Sequence, residues 1–230
     1  MHIKIWSDIR CPFCYIGKKR FEAALNSFPY KDNITIEWKS FELDPNLQTT
    51  NTDALTHFIE NKGIDRDRAL SMFNNVTAMA DGAGLDFNLE ASIPANSFKA
   101  HRLIHYSKQY GRSNDMKEAL LKAHISEGKN IDNIDILLNI AGNLGMNTSE
   151  VKATLESDAY AYDVRQDELE ARNLGINSVP FFAINNKYGI SGAQPSEVFL
   201  EVLSNAWEEF ENKNSMNVAA NTCDVEGNCN

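Results

Sequence analysis

Cysteine is scarce in this chain. There are four in 230 residues, and they fall into two close pairs, Cys11 with Cys14 and Cys223 with Cys229, leaving no stray thiol. Positive charge is also short: 22 Lys and Arg stand against 32 Asp and Glu, and no basic cluster offsets the net charge of −10. That balance argues against nucleic acid and against anionic membranes as partners. No apolar run is long enough to cross a bilayer. Met1-His2-Ile3-Lys4 opens on a strand signal, without a charged leader or an apolar run behind it, so neither a signal peptide nor a membrane anchor is expected. The expected location is the cytoplasm, where close cysteine pairs are more often catalytic or sensing than structural. Internal repeats and low-complexity segments are absent too.

What remains is a chain with 43% hydrophobic residues, ample for a core, and long enough for one domain with a large insertion or for two small domains. Its organising stretch is Asp8-Ile9-Arg10-Cys11-Pro12-Phe13-Cys14-Tyr15-Ile16-Gly17. An apolar strand signal, Ile3, Ile5 and Trp6, runs into the Cys-x-x-Cys. Phe21, Ala24, Leu25 and Phe28 then keep the spacing of an amphipathic helix. Two thiols at a helix start can close on each other and reopen with little backbone movement. The first sits among unpaired N–H groups at the positive end of the helix dipole, which favours the thiolate, the reactive form. Pro12 suits the first turn, where its missing N–H costs no helical bond. The competing reading is half a zinc site, but zinc wants about four ligands and the other two cysteines lie at the far end of the chain with a wider spacing. In a strand–loop–helix context the motif reads as a redox site.

Ile34-Thr35-Ile36-Glu37-Trp38 alternates as a strand does and completes a βαβ unit with a parallel pair. From Asp53 to about Asn173 strand signals vanish and five or six helices are expected. Asp53, Asp65, Asn96 and Asn147 are their candidate caps, Gly63 ends the first, and the last runs from Asn147 to about Leu174. Met72, Phe73, Val76 and Met79 read as helical core. Strands return at Val179–Ile184 and Lys187–Ile190 around an Asn185-Asn186 turn, and a final helix opens at Pro195. The expected architecture is α/β. Residues 1–48 and 176–212 form a discontinuous thioredoxin-like domain, 49–175 an all-helical insertion, and 213–230 a flexible tail carrying the second cysteine pair. A cis peptide at Val179–Pro180 is expected to set that loop beside the cysteines, where Val179 can pair with an extended substrate chain.

Four stretches carry a resemblance. They are Cys11-Pro12-Phe13-Cys14-Tyr15-Ile16-Gly17; Phe41-Glu42-Leu43-Asp44-Pro45; Asn96-Ser97-Phe98-Lys99-Ala100-His101-Arg102-Leu103-Ile104-His105; and Val179-Pro180-Phe181-Phe182 with Tyr188-Gly189-Ile190-Ser191-Gly192-Ala193-Gln194-Pro195. The chain resembles the DsbA-type thiol–disulfide oxidoreductases, in their FrnE-like branch. The resemblance implies a thioredoxin fold with a helical insertion, Cys11 as nucleophile, Cys14 as resolving thiol and a cis Pro180. One departure concerns chemistry. Phe13 stands where this branch carries Trp and strongly oxidising DsbA proteins carry His, so the resemblance does not transfer a DsbA-like potential.

The expected partners are protein or small-molecule thiols and disulfides, with no cofactor and no metal; the oligomeric state is left open. Phe13, Val179 and Pro180 are the candidate substrate contacts. Glu37 is a weak candidate for the base that takes the Cys14 proton. His101 and His105, one helical turn apart, lack a third ligand at useful spacing and read as a helix-surface or cavity-lining pair. Cys223 and Cys229 are either a local disulfide or two idle thiols, or else a second redox pair that exchanges with Cys11–Cys14. Two rivals share the implied fold: the glutathione-dependent kappa-class transferases with the related 2-hydroxychromene-2-carboxylate isomerases, and a redox-switched chaperone or binding protein. The first group typically lacks the second cysteine, which is present here.

Overall fold

In the computed structural model, the described residues are 1–50 and 52–220, with side chains to 212. β1 (His2–Ser7) leads through Asp8–Arg10 into α1 (Pro12–Ser27), and β2 (Thr35–Ser40) returns parallel to β1, with Ile5 beside Trp38. This is the βαβ unit that the alternation in both strands dictates. Ile3 and Ile5 bury one face of β1 and Trp6 the other, so the strand is covered on both sides.

Seven α-helices follow where five or six were expected. They are α2 (Ala54–Lys62), α3 (Arg66–Asp81), α4 (Phe98–Ser107), α5 (Ser113–Leu121), α6 (Ile134–Asn143), α7 (Thr148–Glu156) and α8 (Ala161–Asn173). Asp53 and Asp65 cap α2 and α3 by accepting from Thr56 N and Arg68 N, and Gly63 ends α2 in the left-handed region at φ 62°. Asn147 caps α7 and holds Glu150 by a 3.0 Å bond. Asn96 acts from one position before the cap of α4, its Oδ1 accepting from Phe98 N at 2.9 Å. The additional helix arises because the run from Asn147 to Leu174 is broken at 157–160. No Gly or Pro breaks it. Arg102, buried on α4, donates to the carbonyls of Thr154 and Leu155 in the last turn of α7 and to those of Ser157 and Ala159 just beyond it.

After the insertion come β3 (Phe181–Ile184), β4 (Tyr188–Ser191) and α9 (Ser196–Ala220). The sheet order is β2-β1-β3-β4, with β3 antiparallel to both neighbours. Asn185 and Asn186 both have positive φ, 51° and 54°, as a two-residue hairpin turn requires. α9 runs on to Ala220, beyond the expected boundary at 212, because no Gly or Pro interrupts 196–220. One face of the sheet packs on α1 and α9, where Phe21, Phe182 and Phe199 meet with ring centroids 4.7 to 5.7 Å apart. The insertion shares this core: Ile3, Ile5 and Trp38 belong to one apolar cluster with Leu103, Met116 and Leu120. It therefore reaches the C-terminal end of β1, where the cysteines sit. Among the described residues no helix is long and apolar enough to cross a membrane.

Candidate active site

Cys11 is the N-cap residue of α1, in extended backbone at φ −87° and ψ 112°, with Pro12 opening the helix and no side chain capping it. Cys14 lies one turn further on. Both are thiols, 4% and 1% exposed. Cys11 Sγ donates to the Val179 carbonyl across 3.6 Å, and the Val179–Pro180 peptide is cis. Gly17 allows this loop to press on α1, since a Cβ there would meet the Pro180 ring at 2.8 Å. Cys11, Phe13, Val179 and Pro180 are thus brought to one end of α1, with Phe13 39% exposed at the rim.

The protonation of the pair differs from the helix-dipole expectation. The hydrogen bond with Cys14, then burial, then the charge on Cys14 push the Cys11 thiol well above its ordinary range. Burial alone would raise Cys14 as well, but the bond from Cys11 and the charge of Lys117 bring it down. These influences favour the proton on Cys11 and negative charge on Cys14. At this first sulfur the bond with Cys14 and then desolvation outweigh the pull of the helix terminus.

Two buried groups outside the motif act on this balance, Asp8 on Cys11 and Lys117 on Cys14. Asp8 is fully buried at the end of β1 and accepts from Arg10 N and Leu43 N. Burial would raise its carboxyl, but the bond to His101 (3.4 Å) and the electrostatic pull of that imidazole hold it well below the usual carboxylate range. Lys117 on α5 is 1% exposed and donates to the Ser7 carbonyl at 3.1 Å. Burial pushes it down to about 8, against the pull of Cys14 and Asp8. Glu37 is placed elsewhere, in a cluster with His2, Lys39 and Lys108 on β2 and its surroundings. The carboxylate acting on Cys11 is that of Asp8. His101 and His105 are buried rather than at the helix surface, paired with Asp8 and Asp167 respectively.

Cys11 opens into a groove of about 700 Å³ between the motif and the α2–α3 hairpin. Phe58, Phe73 and Val76 line it, as do Met72 and Met79, which are 43% and 36% exposed. The reading of Met72, Phe73, Val76 and Met79 as core is corrected for Met72 and Met79, which α3 turns toward the groove, while Val76 also packs against the buried cluster of Tyr15, Ile16 and Ala80. Cys223 and Cys229 lie outside the described residues.

A family model for the DSBA-like thioredoxin domain matches residues 2–204. The chain belongs to the DsbA-like thioredoxin family. It is 30% identical over 207 residues to the uncharacterized protein YwbO of Bacillus subtilis (strain 168), covering 89% of this chain and 96% of that one. A probable DsbA oxidoreductase from Streptomyces coelicolor has 37% identity, with 91% of both chains covered and a TM-score of 0.86. A 2-hydroxychromene-2-carboxylate isomerase is similar at a TM-score of 0.67 over 94% of this chain and 98% of that one. At 17% identity, that likeness concerns the fold alone.

In this DsbA-like protein, the residues that sequence reasoning missed are those that come from a distance. Lys117 left a trace: it sits beside Met116 in an apolar stripe with Leu120 and Leu121, where a surface lysine does not belong. His124 left none, because the turn that buries it, Lys122–Ser126, is a π-helix following α5. Burial, and then the charge of Arg10, push His124 down to about 4. Its folded value lies below the unfolded one, so its contribution is present above pH 6.5 and is lost as pH falls toward 4. About 3 kcal/mol of stability should disappear across that window at most. Urea unfolding of the wild type and of His124→Phe at pH 7 and 4.5 measures it. Equal losses in the two proteins would assign the acid sensitivity to other groups, His101 first among them, since burial lowers it as well.

Proposed function

We propose that the protein is a thiol–disulfide oxidoreductase in which Cys11 exchanges with substrate and Cys14 resolves. The observation that carries this reading is the division of labour between the sulfurs. Cys11 lines the groove beside Phe13, while Cys14 lies behind it under the charge of Lys117. As Cys11 attacks a disulfide, its proton passes to the Cys14 sulfur; one substrate thiolate leaves and a Cys11 mixed disulfide remains. Cys14 then attacks the Cys11 sulfur, its proton going to the second departing thiolate. The protein gains a disulfide and the substrate is reduced by the same two electrons. Run backwards, the same steps oxidise a dithiol. Val179, whose carbonyl accepts from Cys11, and Pro180 are the proposed contacts for a substrate chain, and protein or small-molecule thiols and disulfides are the proposed partners.

The test is equilibration in a graded thiol–disulfide redox buffer, followed by alkylation and mass analysis of the Cys11–Cys14 peptide. The motif lacks a cationic ring between its cysteines, so a potential between the thioredoxin and DsbA extremes is expected, roughly −180 to −250 mV. A pair that stays reduced across the whole series would count against a dithiol cycle and in favour of the isomerase-like rival.

A further inference from the structure

Three polar atoms in the groove wall are buried without a hydrogen-bond partner among the described residues: Arg10 Nη1, His57 Nε2 and His124 Nδ1. Left unpaired, such groups cost about 1–3 kcal/mol each, and more where charged. Arg10 directly precedes Cys11, so its guanidinium and the exchanging sulfur enter the groove from the same short loop. His124 is 5% exposed. The charge balance points the same way. Arg10 and Lys62 line the groove against a single carboxylate, Asp44, in a chain whose net charge is −10. A guanidinium fork in a sheltered site suits an ionised carboxylate, which accepts two parallel bonds from it. The facing wall of Phe58, Phe73, Met72 and Met79 is apolar, and the volume falls in the range of small-molecule sites.

We infer that the groove binds a small-molecule disulfide bearing a carboxylate, with the carboxylate on Arg10, an apolar body along α2 and α3, and a sulfur at Cys11. This rests on the dithiol reading and narrows its substrate class. The exchange is the one given above. The small disulfide takes two electrons from the Cys11–Cys14 dithiol and leaves as two thiols, one of them from each half.

The experiment compares two chromogenic aromatic disulfides on the fully reduced, full-length protein. One is 5,5′-dithiobis(2-nitrobenzoate), which carries a carboxylate on each ring, and the other is neutral 4,4′-dithiodipyridine. The rate of the Cys11→Ser protein is subtracted from each, so that only Cys11 is counted. Arg10→Gln should lower the ratio of anionic to neutral rates roughly ten-fold, and Arg10→Lys by less, since charge remains and the fork is lost. Lys62→Gln, at an exposed position where folding is not at stake, should lower the ratio about two-fold. A Cys11-dependent reaction with both reagents whose ratio is the same in all four proteins would overturn the carboxylate site and leave the dithiol reading standing. If neither reagent shows a Cys11-dependent phase, the dithiol reading fails, and the carboxylate site with it.

Discussion

Replacing Cys11 by serine should reduce thiol-driven insulin reduction by at least about a thousand-fold, whereas Cys14→Ser should retain the first exchange and stop there. A hydroxyl at position 11 has no accessible anion near pH 7 and forms no disulfide, so no intermediate takes its place. Position 14 differs because its sulfur does not face the groove. Its work is to take the Cys11 proton and then release Cys11 from the substrate. Without it, Cys11 should remain tied to a substrate half until an external thiol frees it. Mass analysis of Cys14→Ser after exposure to a disulfide should show one adduct on Cys11, with turnover that becomes dependent on external thiol concentration. Losing the hydrogen bond and charge of Cys14 should also bring the Cys11 thiol back down toward its ordinary range, because both push it up in the native pair. A Cys14→Ser protein that turns over at the wild-type rate, or an adduct found on Cys14 in Cys11→Ser, would reverse the assigned roles.

The frame of this fold was legible because it is written locally. Alternation in Ile3–Trp6 and Ile34–Trp38, the paired asparagines at 185–186 and the caps at Asp53, Asp65 and Asn147 each act within a few residues of themselves. The break between α7 and α8 was not legible, because its cause, Arg102, lies about fifty residues earlier in the sequence. The same distinction separates the parts of the site. Cys11, Phe13 and Cys14 announce themselves by spacing, but Lys117, which lowers Cys14, arrives from α5, and His101, which holds Asp8, from α4. The dipole argument for Cys11 failed as well. It treats the helix end as open to solvent and the sulfur as alone, whereas the bond with Cys14 and then burial oppose the thiolate at Cys11. Glu37 was a misplaced choice of carboxylate on similar grounds. A strand-face glutamate finds the nearest lysine, here Lys39 at 3.0 Å, while Asp8 at the strand end is carried under the insertion.

Lys117→Met is the substitution that separates function from stability most sharply. In the native protein the ammonium is nearly 99% hidden and bonded to a main-chain carbonyl, and its attraction to Cys14 and Asp8 opposes the burial that drives it down to about 8. Such a charge costs the fold its desolvation, so methionine of similar length should leave urea stability unchanged or raise it by about 1 kcal/mol. Activity should move the other way. The ammonium is one of the influences holding Cys14 below its ordinary range, and without it the thiolate that accepts the Cys11 proton and later attacks the mixed disulfide becomes scarcer at neutral pH. Single-turnover resolution at pH 7 should slow roughly ten-fold, with the deficit shrinking as pH rises and the sulfur ionises unaided. Lys117→Arg, which keeps the charge, should recover part of the rate if the larger head is accommodated. The decisive readout is the pH profile rather than the rate at one pH. A uniform slowing that does not diminish toward alkaline pH, accompanied by lost stability, would make Lys117 a packing residue rather than a group that sets the charge on Cys14.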